Sequence, residues 1–140
     1  MEQTARVQMD DLMVERVLRT VEAIPAGRVT SYGRIGAIAG CGPRLVGRIM
    51  REWGSSVPWW RVVAASGEVA PPLRQRAFAY WEEEGIAVAP HGRGCRMASV
   101  GMTAEELREA AAGPLDQLEQ SEASAIAHHD IETKPGGPER

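Results

Sequence analysis

The turn formed by residues 40–43 (Gly-Cys-Gly-Pro) most constrains the fold, because it separates two short segments that read as helices. Before it, Ser31 is placed to cap a helix that runs to about residue 39. After it, Pro43 suits the first position of a helix over residues 43–53. Two short helices joined by a glycine-containing turn are typical of a helix-turn-helix domain. Glycine turns also join helices in many other helical domains.

More helices and two small β-hairpins are predicted around this pair. Apolar residues recur at helical spacing over residues 10–24, which predicts an amphipathic helix. Short β-branched runs within residues 62–69 flank a Ser-Gly turn, and residues 86–97 have a similar pattern, so each segment predicts a hairpin. A further helix is predicted over residues 73–84, with Gly85 as its C-cap. The fold class expected is mainly α with small β-hairpins.

Charge divides the chain into a basic part and an acidic part. Residues 26–76 hold eight arginines against two glutamates, a balance of +6, although the whole chain carries -3. Residues 103–140 hold three basic residues against nine acids, a balance of -6. A basic segment suits phosphate binding, since neutralising phosphates releases condensed counterions, although a solvated charged surface is an equally common reason for one. We expect residues 1–102 to form a DNA-binding domain and residues 103–140 an acidic extension.

The extension is expected to begin with one short helix. Thr103 and Glu106 have the spacing of a capping box, and Gly113-Pro114 is expected to end the helix that they open. From about residue 120 the apolar periodicity is lost and acids accumulate, which predicts disorder.

Composition excludes several classes of protein. No apolar run approaches the roughly 20 residues that span a bilayer, and residues 1–11 lack the pattern of a secretory signal. Two cysteines, Cys41 and Cys95, cannot supply a disulfide framework or a four-ligand zinc site alone. We therefore expect a monomeric protein of the bacterial cytoplasm, associated with the nucleoid, with no metal and no cofactor.

The segment Pro58-Trp59-Trp60-Arg61-Val62 resembles the Pro-Cys-His-Arg-Val signature of the DNA alkyltransferases that repair O6-alkylguanine. The resemblance spans about residues 9–97 and includes ordered blocks at residues 25–40 and 43–50 and the Ser-Gly turn. Tryptophans occupy both the cysteine and the histidine positions. Because an indole nitrogen cannot act as the nucleophile that a thiolate provides, the resemblance is to the non-catalytic, alkyltransferase-like branch of that family. It implies a winged helix-turn-helix-like alkyltransferase C-terminal domain.

The resemblance implies a surface that binds duplex DNA through its minor groove. Tyr32 would press on a phosphate and help rotate the damaged nucleotide out of the stack, and Arg44 would fill the gap that it leaves. Without the resemblance, Tyr32 reads as a core aromatic and Arg44 as a surface arginine. The residues expected to contact DNA are Thr30, Ser31, Tyr32, Arg44, Gly47, Arg48 and Arg51.

A pocket for the extruded base is implied next to this surface. Trp59 would lie in it, with core packing as its ordinary alternative, and an arginine of the following loop would approach the base. Glu84 matches a glutamate of the family's activation network and, with no thiol or histidine to serve, is expected to be structural or a helix-surface charge. The residues expected around the base are Trp59, Trp60, Arg61, Val62, Ser66 and Arg74.

Three functions remain open from the sequence. The first is a sensor that binds and flips O6-alkylguanine in duplex DNA and marks it for nucleotide excision repair proteins, its expected partners. The second is a helix-turn-helix transcription regulator. The third is an alkyltransferase with a displaced acceptor, Cys41 or Cys95; Cys41 lies beside a helix N-terminus, which would lower the pKa of its thiol.

Overall fold

The computed structural model describes the backbone of residues 2–139 and the side chains of residues 11–123. Within this range lie six α-helices and two short strands. The helices are α1 (Glu2–Glu22), α2 (Tyr32–Ala39), α3 (Pro43–Trp53), α4 (Arg74–Glu84), α5 (Met97–Val100) and α6 (Ala104–Glu139); the strands are β1 (Thr30–Ser31) and β2 (Val62–Val63). Single 3-10 turns are formed by Gly54–Ser56, Trp59–Arg61 and Pro71–Leu73. The mainly helical class is confirmed.

The predicted helix pair is present, with the predicted ends. The Ser31 hydroxyl accepts a hydrogen bond from the Arg34 backbone N–H at 3.1 Å and so caps α2. Gly40 ends α2 in the left-handed region at φ 105°, a conformation that side chains other than hydrogen disfavour. Pro43 occupies the start of α3. Gly36 packs against the turn that follows α2, because a Cβ there would clash with the Cys41 carbonyl oxygen.

The interior consists of two apolar clusters. The first joins α1, α2, α3 and α6 through Val17, Ile35, Val46 and Leu107, each fully buried. The second lies beneath α4 and includes Trp81, whose indole is fully buried, together with Cys95 and strand residue Val63. The helix pair therefore rests on one cluster and the Pro-Trp-Trp-Arg segment on the other. The strands β1 and β2 join the two.

The two predicted hairpins are wrong. Val62–Val63 pairs in parallel with Thr30–Ser31, not with residues 68–69, so the helix pair and the Pro-Trp-Trp-Arg segment are tied to one sheet. The Ser-Gly turn exists: the Ala64 backbone N–H donates to the Glu68 carbonyl at 3.0 Å. Its return segment forms only an isolated antiparallel bridge, with Gly94. Two β-branched residues in a row can pair with many different strands. The partner of Val62–Val63 was therefore decided by packing against residues distant in sequence and not by the nearest turn.

The second hairpin is replaced by a loop. The Ala89 backbone N–H donates to the Gly94 carbonyl at 2.7 Å, and Met97 already belongs to α5. The predicted helix 73–84 and its C-cap are confirmed, since α4 ends at Gly85 with φ 80°.

The last helix begins as predicted and ends elsewhere. The Thr103 N–H donates to Glu106 Oε1 at 2.8 Å, and the Glu106 N–H donates to Thr103 Oγ1 at 3.0 Å, which completes the capping box. The predicted end at Gly113-Pro114 is wrong, because α6 continues through Pro114. Buried Ala111 and Leu118 continue the apolar face on both sides of the proline, and α6 packs along α1, which outweighs the hydrogen bond that proline removes.

The predicted disorder falls mainly on residues 124–140, whose side chains lie outside the described residues. Among the described residues, no helix is long and apolar enough to cross a membrane.

Candidate nucleic-acid interface

Three arginines of α3 form a solvent-facing row, which we call the α3 basic face: Arg44, Arg48 and Arg51. Their spacing of four and three residues places them on one side of the helix, and all three are exposed. Arg48 lies 3.7 Å from Glu52, but both side chains are more than half exposed, so this ion pair is weak. Gly47 lies among them, and a Cβ there would meet no atom within 4 Å. The protein's own packing therefore does not require glycine at this position.

Tyr32 begins α2 and lies half-buried against the first apolar cluster. Burial raises the pKa of its hydroxyl, while the positive charge of Arg51 opposes this shift. The hydroxyl therefore stays protonated near neutral pH and lies within the electrostatic reach of Arg51. Tyr32 has the packing expected of a core aromatic and also adjoins the α3 basic face.

Thr30 and Ser31 differ in what they can offer to DNA. The Thr30 side chain is fully buried and its hydroxyl has no hydrogen-bond partner, so the prediction that it contacts DNA is wrong. Thr30 lies in β1 beside Val62, and this strand pairing holds it beneath the surface. Ser31 is 8% exposed, and its hydroxyl oxygen is used as the cap of α2.

Trp59, Trp60 and Tyr80 pack together as an aromatic cluster. The rings of Trp60 and Tyr80 stack in parallel, with centroids 3.8 Å apart and planes 5° apart. Trp59 meets both edge-on, at 5.7 Å from Trp60 and 5.9 Å from Tyr80. The guanidinium of Arg76 lies 5.3 Å from the centroid of the Trp59 ring. The indole of Trp59 is thus held by two aromatic rings and a cation.

Tyr80 and Arg76 were not among the predicted site residues. Both come from α4, and with Glu84 they recur every fourth residue, which places all three on one face of that helix. This spacing, counted back from Glu84, was the signal that could have identified them.

Glu84 is the centre of a polar network beneath the cluster, here called the Glu84 network (Glu84, Arg61, Trp60 and Gly27). Its carboxylate accepts from Trp60 Nε1 at 2.9 Å, from the Gly27 N–H at 3.0 Å and from Arg61 Nη2 at 2.5 Å. Arg61 also donates to the Ile24 carbonyl at 2.8 Å. The network connects α4, the Pro-Trp-Trp-Arg segment and the loop before β1.

Burial alone would raise the pKa of Glu84, but the hydrogen bonds from Arg61, Gly27 and Trp60, with the charge of Arg61, lower it overall. The Glu84 side chain is 12% exposed and that of Arg61 16% exposed, so solvent screens the pair only weakly. The expected structural role of Glu84 agrees with these contacts.

The remaining predicted pocket residues lie around the same segment. Val62 is buried in β2, and Ser66 is exposed in the turn, where its Oγ accepts from the Glu68 N–H at 3.3 Å. Arg74 donates from Nε to the Val69 carbonyl at 2.7 Å, so it holds the loop between β2 and α4 in place.

Neither cysteine has the environment of a nucleophile. Burial raises the pKa of the Cys41 thiol, so the expected lowering by a helix N-terminus is wrong. Burial also raises the pKa of Cys95, which is 2% exposed and lies in the second apolar cluster. Among the side chains described, no group of three His, Cys, Asp or Glu residues is close enough to hold a metal ion.

Residues 13–86 match the model of the 6-O-methylguanine DNA methyltransferase DNA-binding domain, and this range contains the helix pair, the aromatic cluster and Glu84. The chain belongs to this family. Its resemblance to the alkyltransferase-like branch is supported by two bacterial relatives and by two solved structures.

Two of the relatives are bacterial proteins called DNA base-flipping proteins. The DNA base-flipping protein of Escherichia coli strain K12 is 34% identical over 98 residues, which cover 65% of this chain and 75% of that protein. The DNA base-flipping protein of Vibrio parahaemolyticus is 33% identical over 91 residues, 61% of this chain and 90% of that protein.

The solved structure of S. pombe Atl1 in complex with damaged DNA containing O6-carboxymethylguanine superposes with a TM-score of 0.59 at 27% identity. It covers 66% of this chain and 96% of that one. A second S. pombe structure with DNA gives a TM-score of 0.57 at 28% identity, with the same coverage. The alkyltransferase-like fold predicted from the sequence is confirmed.

Proposed function

We propose that this protein is a non-enzymatic sensor of DNA damage, which binds O6-alkylguanine in duplex DNA, turns the base out of the helix and holds it without repair. The single observation that carries this proposal is the indole of Trp59 at the place of the alkyl acceptor. By the resemblance of Pro58-Trp59-Trp60-Arg61 to Pro-Cys-His-Arg, the side chain of residue 59 faces the substituent on guanine O6. An indole has no lone pair free to displace an alkyl group, so the base is bound and the bond to its substituent survives.

The environment of Trp60 supports the same conclusion. In an enzyme of this family the neighbouring histidine helps to activate the thiol. Here the indole N–H of Trp60 donates to Glu84 and its ring stacks on Tyr80, so no side chain at this position takes up a proton. Glu84 therefore has a structural role, in which it accepts hydrogen bonds from Trp60, Gly27 and Arg61. Cys41 and Cys95, with raised pKa values, offer no alternative thiolate.

The α3 basic face and Tyr32 are proposed as the DNA-binding and base-flipping elements. Arg44 is proposed to stack in the gap left by the extruded base, since a planar guanidinium both stacks and donates hydrogen bonds. Arg48 and Arg51 are proposed to bind phosphates or the groove edge without reading sequence. Tyr32 is proposed to press on a phosphate, with Arg51 attracting the same group. The open position at Gly47 suits close approach of the minor groove.

The base pocket is proposed to lie at Trp59 and the segments around it. The carbonyl groups of Trp59 and Val62 are proposed to accept hydrogen bonds from the exocyclic amine of guanine. Ser66 and Arg74 belong to the loop at its border, where Arg74 braces the backbone through Val69. Arg61 is proposed to act indirectly, by holding Glu84.

The relatives named DNA base-flipping proteins and the Atl1 complex with damaged DNA support this assignment. We propose further that the bound lesion is passed to nucleotide excision repair proteins, and that the protein acts as a monomer in the bacterial cytoplasm, in association with the nucleoid.

Competition binding tests the proposal. One duplex sequence is prepared with O6-methylguanine or guanine at a single position, and two further unmodified sequences are included, all at one stated salt concentration. The sensor is expected to prefer the methylated duplex and to bind the three unmodified duplexes equally. Equal binding of modified and unmodified duplexes would refute it. Strong discrimination among the unmodified sequences would instead support a transcription regulator with the same helix pair.

The variant Trp59→Cys provides a control for the chemistry. It restores a thiol but not the histidine, and it is expected to bind the lesion without removing the methyl group. Methyl transfer by this variant would show that the Trp60–Glu84 arrangement can still activate a thiol.

A further inference from the structure

Arg76 is placed to act on the group attached to guanine O6, a role that rests on the proposed function. Its guanidinium lies over the ring of Trp59, 5.3 Å from the centroid, and its side chain is exposed. If residue 59 faces the O6 substituent, a cation over its ring lies on the same side of the site as that substituent. Arg76 comes from the first turns of α4, a rigid element, so it does not depend on the order of the preceding loop.

The other arginines near the cluster are less well placed for this role. Arg61 lies 5.5 Å from the Trp60 centroid, but its charge is matched by Glu84 at 2.5 Å. Arg74 donates from Nε to the Val69 carbonyl, and among the described residues the cation over the Trp59 ring is Arg76 and not Arg74. Over the described residues 11–123, no carboxylate forms an ion pair with Arg76. Arg76 is therefore the cation at the Trp59 ring that keeps its charge for a bound group.

The chemistry of this position favours one class of substituent. A guanidinium binds a carboxylate through two parallel hydrogen bonds, which a methyl or benzyl group cannot accept. The flat ring of Trp59 beneath it excludes water from one side of such a pair, which strengthens it.

We infer that Arg76 is a specificity-determining residue that favours O6 substituents ending in a carboxylate, with O6-carboxymethylguanine as the simplest example.

A pair of matched adducts tests the inference. O6-Carboxymethylguanine and O6-carbamoylmethylguanine have nearly the same shape, and only the first carries a charge. We expect the wild-type protein to bind the carboxymethyl duplex about fivefold more tightly than the carbamoylmethyl duplex, since a partly exposed charge pair contributes about 1 kcal/mol. Arg76→Gln should reduce this ratio to about one, and Arg76→Lys should retain part of it. The preference should also fall as salt is raised.

Control measurements separate this inference from the proposed function. Arg108→Gln removes one charge from the exposed face of α6 and should leave the ratio unchanged, and circular dichroism checks that each variant is folded. Equal wild-type binding of the two adducts, or a ratio that persists in Arg76→Gln, would overturn the inference. Both duplexes would still bind more tightly than unmodified DNA if the proposed function holds. No preference for any O6-alkylguanine over guanine would refute the function itself.

Discussion

The Glu84 network and the α3 basic face are both built around arginine, yet they use its charge in opposite ways. In the network, Arg61 is 16% exposed and has its guanidinium shared between Glu84 and the Ile24 carbonyl. On the basic face, Arg44 and Arg51 are exposed and form no ion pair with the side chains described. A mostly buried arginine whose three side-chain nitrogens all have partners fixes a shape. An exposed arginine without a partner keeps its charge for a phosphate.

This difference divides stability from binding within one small domain. The network ties α4, the aromatic cluster and the loop before β1 into one unit, so the site is formed before DNA arrives. The basic face contributes little to the fold and is proposed to supply most of the attraction to DNA. Substitutions in one region should therefore change the free energy of unfolding, and substitutions in the other should change affinity.

The largest effect is expected for Glu84→Ala. Removing this carboxylate leaves Arg61 buried without its counter-ion, which should lower the free energy of unfolding by about 3 kcal/mol. Urea denaturation measures this loss. The exposed partner variant Glu52→Ala, which removes only the contact to Arg48, should change stability by less than about 0.5 kcal/mol. Equal losses for the two variants would contradict the division.

The same network predicts a pH dependence. Because the pKa of Glu84 in the folded protein lies below its ordinary value of 4.5, its ionised form stabilises the fold fully above about pH 4.5. That contribution is lost as the pH falls through the lowered folded-state pKa. Thermal denaturation should be followed from about pH 7 to about pH 3, which includes the range where carboxyl groups usually titrate. The denaturation temperature should fall more steeply with decreasing pH for the wild type than for Glu84→Gln. Parallel curves would remove Glu84 from this role.

The next effect is expected for Arg44→Ala, in affinity and not in stability. Arg44 is proposed to fill the gap that the extruded base leaves in the DNA. Loss of its guanidinium should weaken binding to the O6-methylguanine duplex by about 2 kcal/mol, roughly thirtyfold. Fluorescence anisotropy measures the change, and the denaturation midpoint should stay where it is. Unchanged affinity would remove Arg44 from the interface.

The two glycines of the helix pair sharpen the comparison further. Gly36→Ala places a Cβ against the Cys41 carbonyl and should cost about 2 kcal/mol of stability through overpacking. Gly47→Ala meets no protein atom and should stabilise the folded state by up to about 1 kcal/mol, because alanine favours helix. The second variant should nevertheless weaken DNA binding if α3 enters a groove there. A Gly47→Ala protein that is more stable and binds as well as wild type would place the groove elsewhere.

The smallest effect is expected for Thr30→Val. The Thr30 hydroxyl is buried without a partner, so a methyl group of the same shape should stabilise the fold by about 1 kcal/mol. DNA affinity should not change. Destabilisation would mean that the hydroxyl has a partner, such as a bound water.

The sequence predicted what local chemistry determines. The Ser31 cap, Pro43 at the start of α3, Gly85 at the end of α4 and the Thr103 capping box all followed from single residues, and all are confirmed. The family followed from ordered motifs.

The predictions that were wrong concern features that depend on contacts between residues distant in sequence. The partner of Val62–Val63 lies 32 residues upstream in register, and Pro114 continues α6 because its neighbours pack on α1. Thr30 looked available because a hydroxyl beside Tyr32 suits a phosphate, but β1 buries it. Tyr80 and Arg76 were missed because they lie on an exposed helix face, where only their spacing from Glu84 connects them to the site.

The fate of the alkyl group tests the central claim most directly. The protein is incubated in excess with duplex DNA carrying one O6-methylguanine, and both components are then recovered and weighed by mass spectrometry. We predict that the nucleotide is recovered still methylated and that the protein mass is unchanged, even after binding reaches saturation. A protein heavier by one methyl group in place of a hydrogen, with guanine restored in the DNA, would contradict the account.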